Sequence, residues 1–200
     1  MAILAAIFMR LLPFKANDTM ARSAVLATAL VCWFGIGSCL AEEPSAKEYQ
    51  LKAAFLYNFT KFVGWPSNDS ENANAPFVLG VAGNVSCAAE LEQIVKDRKV
   101  NGREFVVRTV VTPAAASGVH VLFLCGSEDA RLEQWLAVAR RAPILTVGES
   151  EAFIKRGGII NFVLEGEKIR FEINMERAEA AGLKISAQLQ KLAKSIRRKT

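Results

Sequence analysis

Cysteine is the residue type whose number and placement predict covalent chemistry in this chain. Of four cysteines, Cys32 and Cys39 fall in an apolar N-terminal stretch, which leaves Cys87 and Cys125 for the folded part. Each of these two lies near the carboxyl end of a predicted strand, so they meet if the strands are neighbours. In an oxidising compartment such a pair forms a disulfide more often than a metal site. We predict a disulfide between Cys87 and Cys125, with two buried free thiols as the alternative.

The single histidine, His120, lies inside an apolar segment with no metal-binding or nucleophilic residue beside it in sequence. We interpret it as a structural, hydrogen-bonded side chain. One histidine and no Cys-x-x-Cys pair predict no metal site and no cofactor. Without a nucleophile–base set or a redox dithiol motif, the sequence predicts no catalytic residues and a protein that is not an enzyme.

Several glycines lie where a small-molecule binding site is possible. Gly80-x-x-Gly83 matches neither a Walker loop nor a full dinucleotide fingerprint, so a tight turn is the better interpretation. Open α/β sheets nevertheless bind ligands at the carboxyl ends of their strands. Gly83, Gly126 and Gly148 lie at three such predicted ends, and they form our alternative ligand-binding site.

Alternating helices and strands must position these residues. The sequence predicts helices over 48–63, 86–96, 128–140 and 149–155, and strands over 77–81, 104–111, 119–125 and 143–147. In the first helix, spacings of four, four and three predict an apolar face made of Leu51, Phe55, Phe59 and Phe62. The alternation predicts one α/β domain over residues 46–197, with a mainly parallel sheet and helical crossovers.

Residues 157–174 predict a C-terminal antiparallel hairpin. A turn at Glu165-Gly166-Glu167 follows an apolar run, and the returning strand alternates apolar with polar residues. Farther on, Ile185, Leu189, Leu192 and Ile196 recur at helical spacing and predict a terminal amphipathic helix. Four residues are our candidates for partner binding. They are two aromatic residues, a type common in binding hot spots, and two from the hairpin's polar face: Phe62, Trp65, Arg170 and Glu172.

Residues 1–41 predict an export signal. Met20-Ala21-Arg22 precede an apolar core that ends at Ala41, so we expect cleavage before Glu42 and translation from Met20. Two alternatives stay open: a lipoprotein acylated on Cys39, or an uncleaved anchor helix. Without this segment the 25 basic and 20 acidic residues become 22 and 19, and a net charge of +3 does not predict nucleic-acid binding.

Four blocks, in order, resemble the YfiR family of bacterial periplasmic proteins: KAAFLYNFTKFVGWP (52–66), PILTVGE (143–149), GGIINFVLEGEKIRFEIN (157–174) and AGLKISAQLQKLA (181–193). The resemblance implies a compact α/β domain that dimerises in the periplasm. In the best-known member it implies a repressor, which binds the periplasmic domain of an inner-membrane diguanylate cyclase and so lowers cyclic di-GMP signalling and biofilm formation. Family members are also linked to redox state through disulfides.

This resemblance sets our functional expectation. We expect a periplasmic, non-enzymatic regulator, homodimeric as the resemblance implies, that represses an inner-membrane sensor. The alternative is a small-ligand-binding module acting on another sensor, such as a histidine kinase. The family's cysteine before the His-Val-Leu-Phe strand is Val119 here, so its disulfide does not carry over by position. Our hypothesis is that oxidation of Cys87 and Cys125 keeps the fold competent to bind the partner.

Overall fold

The computed structural model describes residues 46–66, 75–83 and 85–198. The predictions about the export signal, the start at Met20 and acylation of Cys39 lie outside these ranges. The predicted domain falls almost entirely within them.

The described part of the chain is built on an eight-stranded sheet. Its strands are β2 (Phe77–Ala82), β3 (Lys99–Val100), β4 (Arg103–Thr109), β5 (Val121–Leu124), β6 (Leu145–Gly148), β7 (Ile160–Glu165), β8 (Lys168–Asn174) and β10 (Ser195–Arg197). They lie in the order β10-β8-β7-β6-β5-β2-β4-β3, and neighbouring strands are parallel except for the β7–β8 and β3–β4 pairs. Two short segments, β1 (Val63–Gly64) and β9 (Lys184–Ile185), pair separately. The mainly parallel sheet is confirmed.

Helices cover both faces of the central strands. They are α1 (Ala46–Phe62), α2 (Val85–Val95), α3 (Leu132–Ala139), α4 (Met175–Ala180) and α5 (Ala187–Leu192), with 3-10 turns at Pro113–Ala116 and Gly126–Arg131. Because side chains alternate along a strand, Val121 and Phe123 of β5 join the core under α1 and α2. Leu122 and Leu124 join the core under α3, around the fully buried Trp135.

The C-terminal hairpin has the predicted register. Phe162 lies opposite Phe171, and Glu165 opposite Lys168, which leaves a two-residue turn in which Gly166 has a φ of 58°. Such a backbone conformation suits glycine. Three apolar side chains of β8 are buried as predicted, and they are Ile169, Phe171 and Ile173.

The buried face of α1 differs from the predicted one. Phe59 is fully buried, but Phe55 and Phe62 are half-buried, and Leu51 is 45% exposed. The face is centred on Ala53, Leu56 and Phe59, and it includes Lys52, which is only 4% exposed. The spacing of apolar residues alone therefore predicted the wrong buried face of α1, because it left Lys52 out of that face.

Three predicted helices differ in extent. Where a helix is predicted over 149–155, the chain forms consecutive turns at 151–157, which carry the ring of Phe153 into the core. The helix predicted over 128–140 begins with the 3-10 turn and becomes α-helical only at Leu132. The terminal helix ends at Leu192, where Ala193 is extended, and Ile196 lies in strand β10 opposite Ile173. An apolar residue at helical spacing can equally lie in a strand, because the spacing alone does not show which element the residue packs against.

Candidate functional site

The structure brings Cys87 and Cys125 together. Cys87 lies in the first turn of α2, just after β2, and Cys125 directly follows β5, the neighbour of β2. The two side chains are 0% and 3% exposed, and their thiols are within hydrogen-bonding distance of each other. Both are free thiols in this structure. The predicted contact is present, while the disulfide itself stays a prediction.

The hydrogen bond with Cys125 and burial raise the pKa of the Cys87 thiol far above its ordinary value. A protonated, buried thiol is a poor nucleophile. In the folded state the pair therefore has the character of packed side chains rather than of a reactive site.

A buried ionic cluster, which we call the lysine cluster, lies beside the thiol pair and consists of Glu48, Lys52 and Glu149. The Nζ of Lys52 lies 2.6 Å from Oε2 of Glu149 and 2.5 Å from Oε1 of Glu48. The other oxygen of Glu149 accepts the backbone N–H of Gly126 at 2.7 Å. Burial by itself would lower the pKa of Lys52, but the two carboxylates outweigh it and raise that pKa above its ordinary value.

The lysine cluster ties α1 to the carboxyl ends of β5 and β6. Tyr49 lies against it, with its ring centroid 5.1 Å from Nζ of Lys52. Burial and the nearby Glu149 raise the pKa of Tyr49, so its phenol is neutral at physiological pH. Sequence reasoning missed this cluster. The i,i+4 spacing of Glu48 and Lys52 was a usable signal, but nothing in the sequence pairs Lys52 with a residue 97 positions away.

The three glycines of the alternative ligand site lie at the carboxyl ends of adjacent strands, as predicted. Protein side chains fill the space beside two of them. A Cβ at Gly148 would lie 2.3 Å from the ring of Phe153, and one at Gly83 would lie 2.6 Å from Oγ of Ser127. The N–H of Gly126 donates to Glu149. Gly83 and Gly148 permit close packing here, and the role of all three glycines in ligand binding stays a prediction.

The four predicted partner-binding residues do not share one surface. Phe62 packs against the core under α1, and the ring of Trp65 meets Phe77 edge-on at 5.0 Å. Arg170 and Glu172 point to the opposite face of the sheet, because they alternate with the buried Phe171. Arg170 is exposed, whereas Glu172 is half-buried and accepts the hydroxyl of Ser195 at 2.9 Å.

Three leucines of three separate elements are exposed instead. Leu51 of α1, Leu164 near the tip of the hairpin and Leu192 at the end of α5 are 45%, 60% and 61% exposed. Leu164 lines a cleft of about 60 Å³ together with Glu48 and Lys52 of α1. Lys194, two residues after Leu192, forms a 2.7 Å ion pair with Glu165, the neighbour of Leu164. We call these three side chains the leucine patch, and that they act as one surface is part of the proposal below. No sequence pattern indicated it, because each leucine belongs to a different element.

Within 46–66, 75–83 and 85–198, no three His, Cys, Asp or Glu side chains lie close enough to hold a metal ion. None of the helices in this described part of the chain has the length and apolar character needed to cross a bilayer. The histidine predicted to be structural is hydrogen-bonded: Nδ1 of His120 accepts the N–H of Val78 at 3.0 Å.

Comparison with known families covers most of these elements. Residues 49–194 match the YfiR/HmsC-like family, and this range includes the thiol pair, Lys52, Glu149 and the whole sheet except the last strand. The chain belongs to the YfiR/HmsC-like family. Membership is consistent with a regulator in the periplasm that interacts with a sensor protein, and it gives no indication of catalysis.

Two solved structures are similar to this chain. A crystal structure of a conserved domain protein from Vibrio cholerae O1 biovar El Tor has a TM-score of 0.52 and 14% identity, over 74% of this chain and 60% of that one, and this likeness shows the fold alone. The ABC domain from Streptococcus pneumoniae in complex with L-Trp has a TM-score of 0.47 and 12% identity, over 60% and 55%. The matched part of this chain spans less than two thirds of the length of either structure. No curated protein matches the sequence.

Val119, where the resemblance led us to expect a cysteine, packs against the sheet. Its side chain lies against Gly80 of β2, where an added Cβ would be 2.9 Å from Cγ1 of the valine. In this YfiR/HmsC-like chain Cys87 and Cys125 lie instead near the carboxyl ends of β2 and β5.

Proposed function

We propose that this chain is an exported, non-enzymatic repressor that binds the periplasmic domain of an inner-membrane sensor, a diguanylate cyclase, and lowers cyclic di-GMP signalling. The observation that carries the docking part of this proposal is the leucine patch. Family membership supports the regulatory part. The proposal includes cleavage of residues 1–41, a soluble periplasmic protein and a homodimer.

The leucine patch has the properties of a docking surface. Each leucine side chain that a partner buries fully is worth about 1.5–3 kcal/mol relative to exposure. Charged side chains lie next to the leucines in the chain, including the Lys194–Glu165 ion pair, and apolar groups beside charged ones are typical of protein interfaces. The lysine cluster fixes α1 to the sheet, so the position of Leu51 is already set before a partner binds.

Repression needs only a modest energy from such a surface. A regulator changes the activity of a two-state sensor by binding one state more tightly than the other. A hundredfold change in the equilibrium requires a preference of about 2.7 kcal/mol. Partial burial of the leucine patch in one state of the sensor supplies an energy of this size.

Intracellular cyclic di-GMP, measured in strains that differ in this gene, tests the proposal. Deletion is expected to raise the level, and wild-type protein is expected to restore it. A Leu164→Glu/Leu192→Glu variant, exported in equal amount, is expected not to restore it. The matched control is Val111→Glu, because Val111 is 68% exposed and lies outside the leucine patch. Unchanged cyclic di-GMP on deletion would refute repression, and full complementation by the double variant would refute the patch.

The Cys87–Cys125 disulfide is a second part of the proposal, supported by the contact between the two thiols. A closed loop of this length stabilises by about 4 kcal/mol in the chain-entropy model. Protein purified from the periplasm is expected to have no reactive thiol after denaturation, and reductant is expected to lower its midpoint in urea. Cys87→Ser should abolish this sensitivity to reductant. Equal stability and equal partner binding of Cys87→Ser and wild type in non-reducing buffer would refute a role for the bond.

A ligand-binding module for another sensor, such as a histidine kinase, is the second candidate function. A cavity of about 350 Å³ at the amino ends of the strands favours it. This cavity lies at the end of the sheet opposite to the three glycines.

A further inference from the structure

A cleft of about 20 Å³ lies between α3, α4 and the segment that precedes β7. Most of its wall is apolar, and the side chains are Leu136, Ala139, Ile144, Ile159 and Ala181. Two arginines, Arg140 at the end of α3 and Arg177 of α4, also line it. Because one water molecule needs roughly 10–15 Å³ of such volume, the cleft admits a single atom the size of an oxygen.

The side chain of Arg177 is half-buried and has no acceptor among the described residues. Its Nε is covered by protein atoms and makes no hydrogen bond, and no described carboxylate pairs with this guanidinium. Even the exposed Arg108, by contrast, donates to the carbonyls of Ala115 and Ser117. A partly desolvated cation without a counter-charge is unfavourable.

Gly157 brings the two arginines of the cleft together. A Cβ at Gly157 would lie 3.2 Å from Nη2 of Arg140 and 3.7 Å from Nε of Arg177. Both nitrogens therefore lie within 4 Å of one point beside this glycine, which itself lines the cleft. The φ of Gly157 is 100°, a backbone conformation that suits glycine, so no side chain separates the two cations.

The carboxylate that pairs with Arg140 is shared with a third arginine. Oε2 of Glu133 lies 4.0 Å from Nη2 of Arg140, whereas its Oε1 accepts Nε of Arg156 at 3.1 Å. Nη2 of Arg140 also donates to the carbonyl of Arg156 at 3.3 Å, a long hydrogen bond. Arg140 and Arg177 together thus have one distant carboxylate for two positive charges.

An oxyanion matches this arrangement. Two guanidinium groups that border one cleft repel each other, and the apolar wall weakens the screening of that repulsion by water. The planar fork of arginine suits the oxygens of phosphate and carboxylate groups. A doubly charged anion would balance both cations, and the small cleft would hold only one of its oxygens.

From this geometry we propose that the cleft binds a small inorganic dianion of the phosphate or sulfate class. One oxygen enters the cleft, and the others accept hydrogen bonds from Arg140 and from the outer edge of the Arg177 guanidinium. The covered Nε of Arg177 is then a reporter of binding rather than a contact. The site is separate from the leucine patch and needs no sensor, so failure of one proposal leaves the other intact.

The Nε–H signal of Arg177 in nitrogen-labelled full-length protein tests the site by NMR. An Arg177→Lys variant assigns this signal by its loss. Sulfate and phosphate, added at constant ionic strength, are expected to shift it in a saturable way. Chloride and acetate, which carry one charge, are expected to bind at least about tenfold more weakly, the size of effect that one charge-assisted hydrogen bond supports.

Two arginine variants with equal loss of charge complete the test. Arg140→Met is expected to weaken sulfate binding at least about tenfold. Arg141→Met, at the exposed next residue of the chain, is expected to bind sulfate as wild type does. The anion series on wild type decides the proposal even where Arg140→Met fails to fold. The proposal is overturned if the Arg177 signal does not move, if chloride shifts it at equal concentration, or if a folded Arg140→Met protein binds sulfate as tightly as Arg141→Met.

Discussion

Replacement of Lys52 by methionine is the sharpest test of how the domain is held together. Methionine keeps the length and the apolar stem of the side chain, so the change removes mainly the charge. The carboxylate of Glu149, whose side chain is 10% exposed, then has no cation beside it. Removal of one partner of a buried pair costs about 3–5 kcal/mol, because the other charge stays desolvated. That is a large part of the 5–15 kcal/mol typical of a domain.

A double variant separates charge from packing. In Lys52→Met/Glu149→Gln the glutamine oxygen can still accept the N–H of Gly126. The charge of Glu149 is gone, and the charge that stays is that of Glu48, whose side chain is 22% exposed. We expect most of the lost stability to return, since replacing a whole buried pair with neutral groups is often close to neutral. The matched control is Lys194→Met at the exposed pair with Glu165, where a loss below about 1 kcal/mol is expected.

Urea denaturation at neutral pH, followed by circular dichroism, measures all three variants. Equal m-values would show that the midpoints report stability. A loss below about 1 kcal/mol for Lys52→Met would contradict the reasoning, because it would place this lysine among surface charges. A double variant as unstable as the single one would show that packing, and not the uncompensated carboxylate, determines the effect.

Two further predictions concern single residues. Burial by itself would raise the pKa of Glu128, but hydrogen bonds from Arg131 and Trp135 outweigh it and lower that pKa. Glu128 therefore makes the wild type more stable than Glu128→Gln, and this advantage is complete above the unfolded-state pKa of about 4.3. The advantage is lost as the pH falls through the lower folded-state pKa. Denaturation series from pH 7 to pH 3 should show the difference shrink, and a difference that grows towards acid would contradict this sign. Gly148→Ala should lower the free energy of unfolding by about 1–3 kcal/mol through overpacking, because its Cβ would meet the Phe153 ring. Gly126→Ala should lower it much less, because the atom nearest to the added Cβ is 3.7 Å away. Equal thermal midpoints of the two variants would contradict the packing argument.

The strands were predictable because their environment is uniform. Central parallel strands are covered on both faces and so appear as short apolar runs, which is how β2, β5 and β6 were located. The hairpin was predictable because one face of β8 is exposed to solvent and the other is buried, so polar and apolar residues alternate along it. Strand β10 was missed, since Ile196 continues the helical spacing of Leu189 and Leu192 and only its contact with β8 makes it a strand.

The candidate site was half predictable. Cys87 and Cys125 could be paired from residue type and from their positions at strand ends. The burial of Lys52 could not be predicted, because it depends on a carboxylate brought near by the sheet order and not by sequence. The leucine patch has the same origin: a side chain is recognised as exposed only when the position of every neighbouring element is known.

The burial of the two sulfur atoms has a consequence for the order of events in biogenesis. Cys87 and Cys125 are 0% and 3% exposed, and thiol–disulfide exchange requires that an attacking thiolate reach a sulfur atom. In the proposed exported protein, an oxidising enzyme therefore reaches the two thiols before the domain has folded and not afterwards. The proposed disulfide would then report the conditions during folding, and it would respond to later changes in its surroundings only when the domain unfolds.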